Sequence, residues 1–244
     1  MEIIFHKKQL KLKHPFTISR WTYTHRPSLI LELQQNGYSG YGEATENPYY
    51  PNTDTDYMIK RINAALPLIQ KAAGLPPAQF WKILHKELKD CPFALCALDE
   101  AYYDWYTKTQ QQTLLEYWDL DKSTQAKTCY TLSIDPVEVM IERMKKNPWP
   151  IYKIKLGTDK DIEIVDALRQ HSNATFWVDA NCAWTVEEAI EKSKALAELG
   201  VEFIEQPLAA DDWAGMQKLA AASPLPIIAD EACKTTDDII RCRT

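Results

Sequence analysis

Apolar and polar positions follow two different rhythms along this chain, and the change falls near residue 125. In the first part, Ser28-Leu29-Ile30-Leu31-Glu32-Leu33 has strand propensity, Asn36-Gly37 is a turn signal, and Tyr38-Ser39-Gly40-Tyr41-Gly42 returns as a second strand. That order predicts a hairpin. The first residues, Met1 to Lys8, read as another strand followed by charges, and Glu46 to Asn52 as an exposed aromatic loop. Helical spacing then takes over, over residues 56–73, 77–89 and 92–107. In the third helix Leu95, Leu98, Ala101, Tyr102 and Trp105 form one stripe, which reads as core. Strands followed by a run of helices predict an α+β unit over residues 1–125.

From Lys127 onward short apolar runs alternate with amphipathic ones. Strands are expected at 129–134, 152–156, 176–180, 203–205 and 227–230, with helices at 136–146, 159–170, 185–199 and 211–222. Thr185 and Glu188 stand at capping-box spacing, Gly200 is placed to stop the helix before it, and Thr235 or Thr236 would open a last helix. A βα repeat of this kind implies a parallel sheet with right-handed crossovers, here over residues 126–244.

Composition narrows the function. The 244 residues are 45% apolar and 25% charged, as in a globular protein, and the formal net charge of −6 leaves no basic footprint for nucleic acid. Glu187, Glu188 and Glu191 read as solvated helix surface. No apolar run approaches the roughly 20 residues of a membrane span. With no signal peptide in the first residues, a cytoplasmic protein is expected. The six cysteines contain no C-x-x-C pair and read mostly as reduced core residues, and the five histidines as surface residues.

The chemistry lies in the polar residues near the strand ends. Thr131, Lys155, Asp179, Glu205 and Asp230 recur about one βα repeat apart, so in a parallel barrel they would meet at the C-terminal mouth. Side chains alternate along a strand, so Ile154 and Leu156 facing the helices would turn Lys153 and Lys155 inward. The same alternation places Asp179, Asn181, Glu205 and Asp230 inside. Three inward carboxylates repel one another, and a divalent cation would neutralise them. Ligands that are all oxygen favour a hard ion, Mg²⁺ before Ca²⁺. Salt bridges between the lysines and carboxylates would also balance charge, but would not explain why these groups gather at strand ends.

In Lys153-Ile154-Lys155, Val178-Asp179-Ala180-Asn181, Ile204-Glu205-Gln206-Pro207 and Ala229-Asp230-Glu231, the chain resembles the enolase superfamily, in its muconate-lactonizing-enzyme-like branch. Gly40-Tyr41-Gly42-Glu43-Ala44 and residues 97–104 resemble the capping-domain motifs of that family. The resemblance implies an N-terminal capping domain over 1–125 and a TIM-type (β/α) barrel from 126. It implies Mg²⁺ on Asp179, Glu205 and Asp230. Lys155 would be the base that removes an α-proton to give an enediolate, with Lys153 beside it disfavouring the charged amine. Asn181 and Glu231 would support the ligands. Within the branch, Pro15 to Arg20 and Tyr130-Thr131-Leu132-Ser133 look most like dipeptide epimerases, with Arg20, or a neighbour one residue away, and Thr131 contacting a dipeptide. The loop 47–52, with Tyr49 and Tyr50, would cap the pocket.

A full barrel of this kind takes about 250 residues, against about 120 from residue 126 onward. We therefore expect a barrel that stops after about five βα units, without the strand on which the family carries its second catalytic Lys. Open strand edges would favour poor solubility or assembly, for instance as a homo-oligomer. The expected activity is that of a Mg²⁺-dependent racemase or epimerase acting on dipeptides. An o-succinylbenzoate synthase or cycloisomerase-type lyase, and an inactive truncated fragment, are the alternatives.

Overall fold

The computed structural model describes residues 1–242. The chain divides into two compact units: residues 1–13 with 24–125, and residues 14–23 with everything from Ala126 onward.

The first unit is built on the antiparallel sheet β1 (Glu2–Thr17), β2 (Thr22–Gln35) and β3 (Tyr38–Thr45), in that order. Strands β2 and β3 pair up to Gln35 opposite Tyr38, and Asn36 and Gly37 make the turn with φ of 54° and 80°. Two successive positive φ values give the turn twist that matches the strands. Along β2, Leu29, Leu31 and Leu33 are fully buried on one face. Each contributes roughly 1.5–3 kcal/mol by leaving water. They meet helices α1 (Thr55–Ala72), α2 (Pro77–Leu88) and α3 (Pro92–Thr109) in one core. Asp54 caps α1 by accepting from the Tyr57 N–H at 2.8 Å.

The expected stripe of α3 is buried throughout. Strand β3 lies directly against it: a Cβ on Gly42 would stand 1.9 Å from the Ala97 carbonyl oxygen. Even alanine there would force strand and helix apart. The loop after β3 closes on itself, Thr53 Oγ1 donating to the Asn47 carbonyl at 2.8 Å while the Tyr49 and Tyr50 rings meet edge-on. The sequence reading stopped short of helix α4 (Leu114–Tyr117) and a 3-10 turn at Lys122–Thr124. Yet Thr113 and Glu116 form a reciprocal capping box around α4, a signal present in the sequence. The first strand also runs to Thr17, well past the charges expected to end it.

The second unit repeats strand and helix: β4 (Tyr130–Leu132), α5 (Val137–Lys146), β5 (Ile151–Lys155), α6 (Asp161–Arg169), β6 (Thr175–Asp179), α7 (Val186–Glu198), β7 (Val201–Glu205), α8 (Trp213–Ala222), β8 (Ile227–Ile228) and α9 (Thr236–Arg241). The strands stand in sequence order and are parallel throughout. Thr185 caps α7 with Glu188, and Thr235 caps α9 with Asp238. Ile154, Leu156, Val178 and Ile204 are fully buried, on the face the helices cover. Residues 14–23 join this unit, Ile134 N–H donating to the Thr17 carbonyl at 3.0 Å and Ser133 Oγ to that of Pro15 at 3.4 Å.

The cysteines depart from expectation: only Cys91 is buried, while Cys96 and Cys242 are exposed and Cys129, Cys182 and Cys233 are intermediate. The histidines are exposed apart from His6, which reaches Glu32 at 2.9 Å. Among the described residues no helix is long and apolar enough to cross a membrane.

Glu32 interrupts the apolar run of β2 on the opposite face and accepts from Gln34 Nε2 at 2.6 Å and Tyr41 Oη at 2.9 Å, beside His6. These hydrogen bonds, Gln34 first, hold its carboxyl down at about 2. A depressed carboxyl stabilises the fold above its unfolded value near 4.5 and loses that effect as pH falls toward 2. Glu32→Gln should therefore lower stability at pH 7 and flatten the acid limb between about pH 4.5 and 2. Urea unfolding at stepped pH checks this; parallel curves for both proteins would contradict it.

Candidate metal and catalytic centre

Parallel pairing brings the site together. In register across the sheet, Lys155 stands opposite Asp179, Asp179 opposite Glu205, and Thr131 opposite Lys153. Lys155, Asp179 and Glu205 are each the last residue of their strands. Thr131 sits one residue before the end of β4, and Asp230 lies two residues beyond β8, so those two depart from the expected strand-end position. Asp230 still converges: one oxygen from each of Asp179, Glu205 and Asp230 lies within 4.8 Å of the others.

Both lysines turn to this cluster, as alternation predicts. Lys155 Nζ is 2.6 Å from Asp179 Oδ2, and Lys153 Nζ is 3.0 Å from the same oxygen and 2.7 Å from Glu205. Asp179 is fully buried and Lys155 nearly so, whereas Asp230 is exposed. Among the described residues no lysine or arginine salt-bridges Asp230, so the lysine pairs leave that carboxylate unexplained. The Phe16 ring, from the 14–23 segment, lies 6.0 Å from Lys155 Nζ.

Two ammonium groups face three carboxylates, leaving one negative charge in excess. Burial would raise the Asp179 carboxyl, but Lys155 and Lys153 override it and hold it low. Glu205 goes the other way, raised by burial and by the Asp179 charge. Burial disfavours the Lys153 ammonium, yet Asp179 and Glu205 keep its pKa above the ordinary lysine value. Two carboxylates thus outweigh burial at Lys153. The donor set fits a hard divalent cation: every ligand atom is a carboxylate oxygen, they are close together, and they carry surplus negative charge.

A layer behind the cluster fixes its parts. Asn181 donates its backbone N–H to Asp179 Oδ1 at 2.9 Å and its side-chain amide to Glu231 Oε1 at 3.4 Å. Arg20 donates to that Glu231 oxygen at 2.9 Å, so in this structure its guanidinium is engaged by a buried carboxylate. Among the described residues, the buried Asn181 Oδ1 and Glu231 Oε2 find no hydrogen-bond partner. Asn181, Cys182 and Gln206 all have positive φ, of 46°, 65° and 34°. Such strained backbone at non-glycine residues clusters at functional sites.

Residues 1–117 match the family described as mandelate racemase/muconate lactonizing enzyme, N-terminal domain, and residues 137–242 match that described as enolase C-terminal domain-like. An L-Ala-D/L-amino acid epimerase of Flavobacterium johnsoniae is 47% identical over 99% of this chain and 72% of its own length. The chain belongs to the enolase superfamily. A second L-Ala-D/L-amino acid epimerase, from Maribacter, is also 47% identical, over 99% of this chain and 71% of its own. Among solved structures, a dipeptide epimerase from Cytophaga hutchinsonii, complexed with Mg and D-Ala-L-Val, superposes with a TM-score of 0.87 at 26% identity. The match spans 99% of this chain and 68% of that one.

Two positions that the sequence reading gave no role hold this enolase-superfamily site in shape. The fully buried Gln206 accepts with Oε1 from the Asp230 N–H at 2.9 Å and the Ala232 N–H at 3.0 Å, and donates to the Leu208 carbonyl at 2.9 Å. It thereby ties the end of β7 to the segment bearing Asp230. Asp161, almost fully buried, accepts from Gly157 and Thr158 backbone N–H, from Trp184 Nε1 and from Lys192 Nζ, all within 2.9 Å. It braces the loops that follow Lys155 and Asp179. The glutamine was visible in the Glu205-Gln206-Pro207 motif; nothing in the local sequence marks the aspartate.

Gln206→Ala should leave Asp230 without its backbone anchor. Mg²⁺ affinity is expected to fall roughly 10–100-fold, the usual cost of losing a group that orients a ligand. Calorimetric titration with Mg²⁺ measures this, and an unchanged affinity would separate Gln206 from metal binding.

Proposed function

We propose that this chain carries the Mg²⁺-binding and Lys-base part of an epimerase acting on dipeptides. The observation that bears most weight is the contact of Lys155 Nζ with Asp179, 2.6 Å apart, inside a cluster of three carboxylates from successive strands. An amine and a cation site so close can serve one substrate carboxylate and the proton beside it. The relatives named as dipeptide and L-Ala-D/L-amino acid epimerases support this choice of substrate class.

Asp179, Glu205 and Asp230 would hold the cation. A bound Mg²⁺ supplies positive charge beside the substrate carboxylate, which favours loss of the neighbouring proton. Lys155 Nζ, as the neutral amine after giving up its own proton, would take that proton from the α-carbon, and the electron pair would spread into the carboxylate as an enediolate. Lys153 stays protonated between Asp179 and Glu205 and keeps a positive charge next to the reacting groups. Phe16 keeps one side of Lys155 apolar, which limits water at the amine. Thr131, on β4 opposite Lys153 of β5, and Arg20, which donates to Glu231, would contact the dipeptide. Asn181, bonded to Asp179, would hold that ligand from behind, with Glu231 bracing Asn181.

Proton exchange tests this reading. Incubation with L-Ala-X dipeptides and Mg²⁺ in D₂O should label the α-carbon, followed by NMR. Lys155→Ala should reduce exchange by roughly 10²–10⁴-fold, the range for losing a general base, while Mg²⁺ still binds. Exchange surviving in that variant would remove Lys155 from the role. Inversion at the labelled carbon identifies an epimerase, and labelling with retention a base that serves one face.

A further inference from the structure

Gly157 follows β5 with a φ of 114°, in the left-handed region that favours glycine. A Cβ built there would stand 2.8 Å from the Ser19 Cβ and 2.8 Å from the Ala183 Cβ. Two segments therefore rest on the bare backbone of Gly157: the loop after Asp179, and the 14–23 stretch at the residue just before Arg20. Ser19 Oγ also donates to the Asn181 carbonyl at 3.5 Å, and Arg20 donates to Glu231 at 2.9 Å.

Asp161 holds Gly157 in that place. Its Oδ1 accepts from the Gly157 N–H at 2.9 Å, the Thr158 N–H at 2.8 Å and Thr158 Oγ1 at 3.0 Å. Its Oδ2 accepts from Trp184 Nε1 and Lys192 Nζ, both at 2.8 Å. One oxygen grips the loop after Lys155, the other the end of the loop after Asp179. The Asp161 side chain is 0% exposed, so water does not reach it to replace a lost partner.

We propose that Asp161 and Gly157 are positioning residues for Arg20. The carboxylate fixes the glycine, the glycine seats Ser19, and Ser19 delivers the guanidinium to Glu231. Neither residue meets the substrate. Their effect on the dipeptide rests on the reading above, in which Arg20 contacts it; the seating of Arg20 does not. Asparagine at 161 cannot do the same work. Its amide has one acceptor oxygen and turns an amino group toward the donors on the other side, so one loop is released.

Amide hydrogen–deuterium exchange of the whole chain reads the seating without substrate. Asp161→Asn and Gly157→Ala should each speed exchange over residues 14–23 roughly tenfold, with residues 28–33 unchanged. Adding Ser19→Gly to Gly157→Ala removes one of the two collisions and should restore part of the protection, which backbone strain at residue 157 alone would not do. Unchanged exchange over 14–23 in both single variants would overturn the proposal. So would equal loosening of 28–33, the mark of general destabilisation. Kinetics of α-proton exchange in L-Ala-L-Glu at saturating Mg²⁺ then follow the consequence for the substrate. Asp161→Asn should raise KM roughly tenfold and change kcat less than about threefold, because strand register still holds Lys155 against Asp179. A KM raised by Arg20→Ala but not by Asp161→Asn contradicts the positioning role. A KM unmoved by Arg20→Ala, or an unaltered chain without turnover, counts against the dipeptide reading instead, and amide exchange alone decides the seating.

Discussion

Parallel strand register is the constraint on which this molecule depends. Lys155, Asp179 and Glu205 are side by side only because three neighbouring strands pair without a shift at their C-terminal ends. A slip of one residue would turn each of these side chains toward the helices and bring a buried aliphatic residue to the cluster instead. The apolar faces prevent it: Ile154, Val178 and Ile204 are fully buried, so the hydrophobic effect that builds the core also sets the register of the charges. Charge repulsion within the cluster is thus imposed by packing: burial and the Asp179 charge raise Glu205, while Lys155 and Lys153 hold Asp179 low.

The last carboxylate obeys a different rule. Asp230 lies beyond its strand, so pairing alone does not hold it, and Gln206 takes over through hydrogen bonds to the surrounding backbone. That arrangement requires a positive φ at Gln206, and the loop after Asp179 carries two more such residues. Strain of this kind costs of order 1–3 kcal/mol per residue and persists where neighbours over-determine the conformation. Here the neighbours are visible: Asn181 bonds Asp179, and Asp161 braces the loops alongside. The site combines a rigid sheet edge with loops held by buried polar groups.

Much of this was legible in the sequence because strand alternation and the βα repeat are local signals. The turn at Asn36-Gly37, the α3 stripe, the capping box of α7, the N-cap of α9 and the inward lysines all follow from spacing. Asp161 was not legible, since its partners Trp184 and Lys192 lie a full βα unit away. Nor was the engagement of Arg20 by Glu231, which joins a residue near the start of the chain to one near its end. Cysteine burial escapes the sequence for a related reason: burial of a small side chain depends on which loops cover it, and periodicity does not report that.

Arg20 belongs to the short stretch 14–23, which packs with the parallel sheet although the residues on either side of it belong to the other unit. Modularity in this chain therefore does not follow the linear order of the sequence. A chimaera joined near residue 125, taking its first half from a relative, would import a foreign hairpin tip against Glu231 and Ser133. Successful recombination would need those ten or so positions to travel with the second half, so a crossover map of this lineage should show them inherited together.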